Sequence, residues 1–163
     1  MKIVVISDSH KNFEGIYRVF SMNKDADLFI FLGDGMEELE DMQSIYPHKK
    51  IWSVAGNCDY FSDVKNTGYG IAENRKILYT HGHTLNVKRG LSTLASFAKE
   101  HNAEIVLFGH THIPMYREEN GIHFFNPGSI TVTRDGKSES YGIIEISNDG
   151  TLSFTHMAMV KTL

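Results

Sequence analysis

The chain has one cysteine, Cys58, so no internal disulfide can staple it. That usage fits a reducing cytosol. Stability must come from a core instead, and a chain of 163 residues is long enough to bury roughly 70% of its unfolded surface. No apolar run approaches the length of a membrane span. The opening Met1-Lys2-Ile3-Val4-Val5-Ile6 is too short and too quickly polar for a signal peptide. A cytoplasmic protein without a membrane partner is the expectation. A basic stripe is also missing. The 16 Lys and Arg are interspersed with 20 Asp and Glu for a net charge of −4, and Lys11, Lys65, Lys88 and Arg89 are scattered. An extended nucleic-acid footprint, which needs many cations set against phosphates, is therefore not expected. Neither a repeat, nor a linker, nor a low-complexity stretch interrupts the chain, which predicts one domain over residues 1–163. What the sequence has in plenty is histidine: nine, unevenly placed.

Apolar, β-branched runs at Lys2–Ser7, Asp27–Leu32 and Lys50–Ala55 predict three buried strands. Between them, Phe13–Met22 repeats Phe13, Ile16, Tyr17 and Phe20 on one helical face behind Asn12 as N-cap. Met36–Ile45 is acidic and helical, closed by Pro47. Strands alternating with helices predict a parallel βαβ sheet. The pattern then loosens. Tyr69–Glu73 suggests an edge strand, Lys76–Thr80 a further strand, Leu91–His101 a helix and Glu104–Phe108 a fifth buried strand. Asn120-Gly121 predicts a tight hairpin between Met115–Glu119 and Ile122–Phe125. Short strands are expected at Ile130–Thr133, Tyr141–Ser147 and Thr151–Met159, with turns at Asp135-Gly136 and Asp149-Gly150. The alternating tail residues Leu152, Phe154, Met157 and Met159 would cover a sheet or meet a second subunit.

The informative residues stand where strands end. Gly109-His110-Thr111-His112 follows the fifth buried strand, and two residues of extended chain advance about 6.6 Å while returning side chains to one side. His110 and His112 could then chelate one metal or serve two roughly 3.5–4 Å apart. Asp8 and His10 follow the first strand, Asp34 between two glycines the second, Asn57 the third, and His81 the strand before the long helix. Singly, each has an ordinary reading: Asp8 as a helix cap, Asp34 and Asn57 as turn residues, His81 as a loop histidine. Together they place an oxygen or imidazole donor at five strand ends, and open α/β sheets bind ligands outside those ends. Imidazole, carboxylate and one amide suit Mn²⁺, Fe²⁺, Zn²⁺, Co²⁺ or Ni²⁺. Seven donors exceed one tetrahedral ion and divide over two if a carboxylate bridges. Cys58, beside Asn57, reads as a small packed residue rather than a thiolate ligand.

Asp8-Ser9-His10, Gly33-Asp34, Gly56-Asn57-Cys58-Asp59, His81-Gly82-His83, Gly109-His110-Thr111-His112 and Asn126-Pro127-Gly128-Ser129 together resemble the calcineurin-like metallophosphoesterases, within them the small YfcE-type phosphodiesterases of bacteria and archaea. The resemblance spans about Lys2 to Ser147. It implies a four-layer α/β/β/α sandwich of two mixed sheets flanked by helices. It also implies two divalent transition-metal ions, manganese first, with nickel, iron, zinc and cobalt as alternatives. Carried over by position, Asp8, His10 and His112 hold one metal, Asn57, His81 and His110 the other, and Asp34 bridges them. The implied activity is hydrolysis of a small phosphodiester by a metal-bridging hydroxide, with the Asn57 amide and nearby imidazoles stabilising the transition state. His83, two residues beyond His81, would contact the phosphate, orient His81, or be an exposed loop histidine. The chain departs from the wider superfamily at Cys58, where many members carry a histidine thought to protonate the leaving group. Three other readings compete. A metal-binding interaction scaffold, such as the retromer subunit of this fold, would tolerate an altered metal site. A polymer nuclease would need a basic track. A thioester or β-lactam hydrolase would carry HxHxDH-type spacing, which is absent. Tyr60 and Phe61 would wall the site for a base or aryl group, or pack on the neighbouring helix. A homodimer or homotetramer remains open on sequence alone.

Overall fold

The computed structural model describes residues 1–131, 133–134 and 138–159. The predicted three strands alternating with two helices come first. Strand β1 is Lys2–Ile6, helix α1 Phe13–Met22, β2 Leu28–Phe31, α2 Met36–Ile45 and β3 Ile51–Ser53. β1, β2 and β3 pair in parallel, with Ile3 opposite Leu28 and Ile30 opposite Trp52. Strands β9 (Ser140–Ile146) and β10 (Leu152–Ala158) extend this sheet antiparallel, giving the order β10-β9-β1-β2-β3. The second sheet contains β4 (Thr67–Ala72), β5 (Arg75–Thr80), β6 (Ile105–Phe108), β7 (Met115–Glu119) and β8 (Ile122–Asn126), ordered β4-β5-β6-β8-β7. β5, β6 and β8 run parallel and the two edges antiparallel. Helix α3, Ser92–Glu100, packs on its outer face.

Side-chain alternation along each strand builds the layers. Ile3 and Val5 of β1 face the second sheet and meet Leu28, Ile30, Ile77, Ile105, Leu107 and Phe125 in a central core. Val4 and Ile6 face the other way, onto Ile16, Val19 and Phe20 of α1 and Leu39 and Met42 of α2. Phe20 stacks on Phe29 with centroids 4.0 Å apart. Beyond the second sheet, Leu94 and Ala98 of α3 cover Leu78, Val106 and Phe124. The result is the expected α/β/β/α sandwich. Strands buried on both faces explain why they read as continuous apolar runs rather than alternating ones.

Most predicted elements are present within a residue or two. Asn12 caps α1 by accepting from the Gly15 amide at 2.9 Å. The tail covers a sheet: β10 pairs with β9 along its length, Leu152 and Phe154 pack on the central core, and Met157 and Met159 pack on the helix-covered face. The predicted edge strand is longer and pairs with β5 through Glu73-Asn74, both at positive φ, a two-residue turn that no glycine announces. Two 3-10 turns, His83–Leu85 and Val87–Arg89, follow β5 where no element was expected. Of the predicted strand Ile130–Thr133, the described residues Ile130, Thr131 and Thr133 lie in no strand, and Val132 lies outside the described residues. This stretch bonds instead to the end of β1 and the loop after it: the Thr131 hydroxyl donates to the Ser9 carbonyl, the Ile130 amide to the Ser7 carbonyl at 3.4 Å, and the preceding Ser129 Oγ to the Asp8 carbonyl at 2.9 Å. The expected turn at Asp135-Gly136 lies outside the described residues.

Candidate metal centre

The parallel strands of both sheets end at one edge of the sandwich, and their loops interlock there. The Asp8 amide donates to the Gly33 carbonyl at 3.0 Å and the His10 amide to the Asp34 carbonyl at 3.0 Å. Gly33 has φ +96°, and a Cβ there would collide with the Gly56 backbone. Asp8, His10, Asp34, His110 and His112 all have φ between 42° and 66°, in the left-handed region. Such backbone costs about 1–3 kcal/mol per residue where it is disfavoured, and it persists only when surroundings over-determine it.

The surroundings do so. The Asp59 carboxylate accepts four backbone amides, from Gly56 at 2.7 Å, Asp34 at 2.8 Å, Gly35 at 2.9 Å and Met36 at 3.0 Å. One side chain thus ties the loops after β2 and β3 to the start of α2. It also meets the positive end of that helix. Glu38 accepts from Ser9 Oγ and from the Lys11 amide. The Asn126 amide group donates to Gly109 O and Thr111 Oγ1, both at 3.0 Å, and steadies the HxH loop. The motif Gly56-Asn57-Cys58-Asp59 was visible in the sequence, but the part played by Asp59 was not. Three of its four donors lie 23, 24 and 25 residues before it in the chain.

The seven predicted donors converge, in two groups that share one oxygen. In the first, Asp8 Oδ1 lies 3.0 Å from His112 Nε2 and 3.8 Å from His10 Nε2, and the two imidazole nitrogens are 3.3 Å apart. In the second, His81 Nε2 lies 3.1 Å from Asn57 Oδ1 and 3.1 Å from His110 Nδ1. Asp34 Oδ2 stands between them, 3.7 Å from His10 Nε2 and 3.5 Å from His81 Nε2. Its other oxygen accepts the Cys58 amide at 2.7 Å. Asp8, Asp34, His81 and His112 are buried, whereas Asn57 is exposed at the mouth.

These donors fit cations. His81 Nδ1 lies 2.7 Å from the Leu32 carbonyl, which can only accept, so that nitrogen carries the proton. In the neutral form of that tautomer Nε2 presents a lone pair toward Asn57 Oδ1 and Asp34 Oδ2. Acceptors facing acceptors repel unless a cation lies among them. Asp8 shows the same logic. Its Oδ2 takes Ser7 Oγ at 2.5 Å and the His110 amide at 3.1 Å, while Oδ1 is buried without a well-aligned donor. Burial acts to raise the Asp8 pKa, but the His112 contact, the charge of His81 and Ser7 outweigh it and hold the carboxyl below its ordinary value.

Among the described residues, His83 is half-buried with Nδ1 lacking a partner, its ring 5.3 Å from His81 and 6.0 Å from His110. It is thus not an exposed loop histidine, and the Leu32 carbonyl, not His83, orients His81. Cys58 is exposed. Desolvation and the Asp34 carboxylate push its thiol up to about 11 in the metal-free protein. Tyr60 and Phe61 are 80% and 99% exposed, so they wall a groove rather than pack on a helix.

His110 is pushed down to about 4, first by burial, then by repulsion from His81 and Lys88. A histidine normally titrates near 6.5, so protonation is easier in the unfolded chain than in the folded one. The stability contributed by neutral His110 is present above pH 6.5 and is lost as pH falls through about 4. Chelator-treated protein is expected to lose thermal stability across that window, and His110→Asn to flatten the loss. Parallel profiles for the two proteins would remove His110 as the cause.

The sequence matches the model of the calcineurin-like phosphoesterase superfamily domain over residues 1–149. The chain belongs to that superfamily. A probable metallophosphoesterase of Bacillus subtilis, YsnB, is 34% identical over 151 residues, covering 91% of this chain and 86% of its own. The Escherichia coli phosphodiesterase YfcE is 25% identical over 169 residues, covering 89% and 88%. A Streptococcus pneumoniae crystal structure described as a predicted phosphoesterase superposes with a TM-score of 0.80 at 26% identity, covering 97% of both chains. The sandwich of two five-stranded sheets is therefore this superfamily's fold, and membership implies metal ions at the strand-end cluster. Among the described residues, no helix is long and apolar enough to cross a membrane.

Proposed function

We propose that this protein is a phosphodiesterase that uses two divalent transition-metal ions, manganese first among them, to hydrolyse a small phosphodiester. The observation that carries this reading is the paired donor geometry, three side chains on each flank of the single oxygen Asp34 Oδ2. Asp8, His10 and His112 would hold one ion, Asn57, His81 and His110 the other, and Asp34 both. Two bound cations supply Lewis acidity and water activation at neutral pH. The chain supplies the rest. The Leu32 carbonyl fixes the His81 tautomer, and Ser7 with the His110 amide fixes the rotamer of Asp8. The exposed Asn57 amide and the half-buried His83 imidazole, its ring 5.3 Å from that of His81, would stand by the phosphoryl group, where fixed dipoles stabilise growing negative charge.

The test is a metal-by-substrate screen on purified apoprotein, with metal content measured in parallel. Two ions per chain and hydrolysis of bis(p-nitrophenyl) phosphate ahead of p-nitrophenyl phosphate are expected. A protein that holds two ions and cleaves neither would favour the interaction-scaffold reading.

Cys58 shapes a second expectation. A general acid contributes about 10²–10⁴-fold by protonating the leaving oxygen. The superfamily histidine is absent here, so kcat/KM is expected to fall steeply with leaving-group pKa across phenolic and alkyl diesters. Cys58→Ser should be tolerated. A flat dependence in single-turnover kinetics would show that another acid, with His83 the first suspect, protonates the leaving group.

A further inference from the structure

The two flanks of the cluster differ in charge. On one, a groove of about 700 Å³ runs past Tyr60 and Phe61 and is lined by Glu37, Glu38, Glu40 and Asp59 together with Lys11. On the other, Thr111, the residue between His110 and His112, opens onto a second groove of about 610 Å³. Its rim carries Lys88, Arg89, Arg117 and Arg134, and among the described residues its lining includes no acidic side chain. Three of the chain's five arginines are gathered there. They arrive from separate places: Lys88 and Arg89 from the second 3-10 turn, Arg117 from β7, and Arg134 from the segment after Ser129. In the sequence, Lys88 and Arg89 looked scattered because the residues that complete the group lie 28 or more positions further along. Below the rim the walls are apolar, formed by Val87, Leu91, Phe108, Ile113 and Met115.

Of these four cations, only Arg117 has an ion-pair partner among the described residues, Glu119 at 3.0 Å. The Lys and Arg ion pairs among the described residues are Lys2–Asp25, Arg75–Glu104 and Arg117–Glu119, and none includes Lys88, Arg89 or Arg134. Burial and repulsion from Arg134 hold the Lys88 ammonium below its ordinary value. Cations concentrated over an apolar floor beside a hydrolytic centre raise the local concentration of an anionic ligand, and arginine forks match phosphate oxygens.

We propose that this groove binds a second phosphate on one arm of the substrate, so that the preferred substrate is a phosphodiester with an additional phosphate group. This rests on the phosphodiesterase reading above. The diester itself would lie over the metal cluster, and the phosphate-bearing arm would run past Thr111 between the arginines. The other arm, aromatic and uncharged, would run along Tyr60 and Phe61, where the carboxylates disfavour an anion.

The test compares two chromogenic diesters, thymidine 5′-(p-nitrophenyl phosphate) and the same compound with a 3′-phosphate. Leaving group and reacting diester are identical, and only one dianion differs. The 3′-phosphorylated compound is expected to have at least about tenfold higher kcat/KM through a lower KM, the scale of one charge-assisted contact worth about 1.4 kcal/mol. In Arg89→Gln/Arg117→Gln the ratio should fall to about one, and in Lys88→Glu it should fall also. A ratio near one in the unaltered protein, or one unmoved by these changes, overturns the proposal while leaving the phosphodiesterase reading intact. If neither compound is hydrolysed, that reading fails, and the groove is tested by itself. Inorganic pyrophosphate titrated calorimetrically into the metal-free protein should bind, and the double variant should weaken it at least fivefold. No binding, or binding unchanged in the variant, overturns the proposal, as does preference for a single-stranded oligonucleotide over pyrophosphate.

Discussion

Asp34→Asn is expected to abolish two-metal binding and hydrolysis together while leaving the metal-free fold at least as stable as before. Asp34 Oδ2 is the one donor atom that both groups share, within 3.7 Å of His10 Nε2 and 3.5 Å of His81 Nε2. Neutralising it removes charge from both ions at once. Loss of an outer partner of a metal ligand already costs about 10–100-fold in affinity, so loss of a bridging ligand should exceed about 100-fold at each position. The metal-free protein behaves in the opposite sense. The asparagine can keep its carbonyl oxygen on the Cys58 amide, where Asp34 Oδ1 now accepts at 2.7 Å. Its amide N–H groups then point at imidazole lone pairs that otherwise face a carboxylate oxygen. One buried charge near Asp8 is also removed. Metal analysis, turnover and the melting temperature of chelator-treated protein measure the three quantities. A variant that keeps two tightly held ions and its activity would take Asp34 out of the centre. One that loses both because it no longer folds would make the site structural.

Asp59→Ala should act through the backbone instead. Four amides lose their acceptor in one change, and hydrogen bonds to a charged group are worth about 1.5–3 kcal/mol each. Asp59 is only partly buried, so water would satisfy some of these donors, and the contributions are not additive. A net loss of about 3 kcal/mol is expected, or roughly 6–12 °C in melting temperature for a chain of this size. Metal affinity should fall as well, because the same carboxylate holds the segments carrying Asp34 and Asn57. Asp59→Asn, which keeps one acceptor oxygen, should fall between the variant and the unaltered protein in both measurements. Equal melting temperatures for Asp59→Ala and the unaltered protein would show that the loops are held by other contacts, with Asn126 and Ser129 next to be tested.

Much of this molecule was determined by local chemistry in the sequence. Buried strands announce themselves as short apolar runs, and the glycines and donors that follow Ile6, Leu32, Ala55, Thr80 and Phe108 mark strand ends. A parallel arrangement brings such ends to one edge, so the seven donors could be named from periodicity, spacing and the motifs they make. How they divide between two ions was implied by family resemblance, since spacing along a chain carries no angles. Tertiary structure alone decided the rest. Asp59 looks like any acidic loop residue until α2 and the loops after β2 and β3 fold around it. The run Ile130–Thr133 has strand-like composition, yet among its described residues the Thr131 hydroxyl and the Ile130 amide bond to the end of β1 and the loop after it rather than to a strand ladder. Lys88, Arg89, Arg117 and Arg134 form no stripe in sequence because charge accumulates through space, over distances of about a Debye length, and not along the chain. The same physics that made the strands legible, burial of local apolar patterns, says nothing about polar groups whose partners are brought near only by folding.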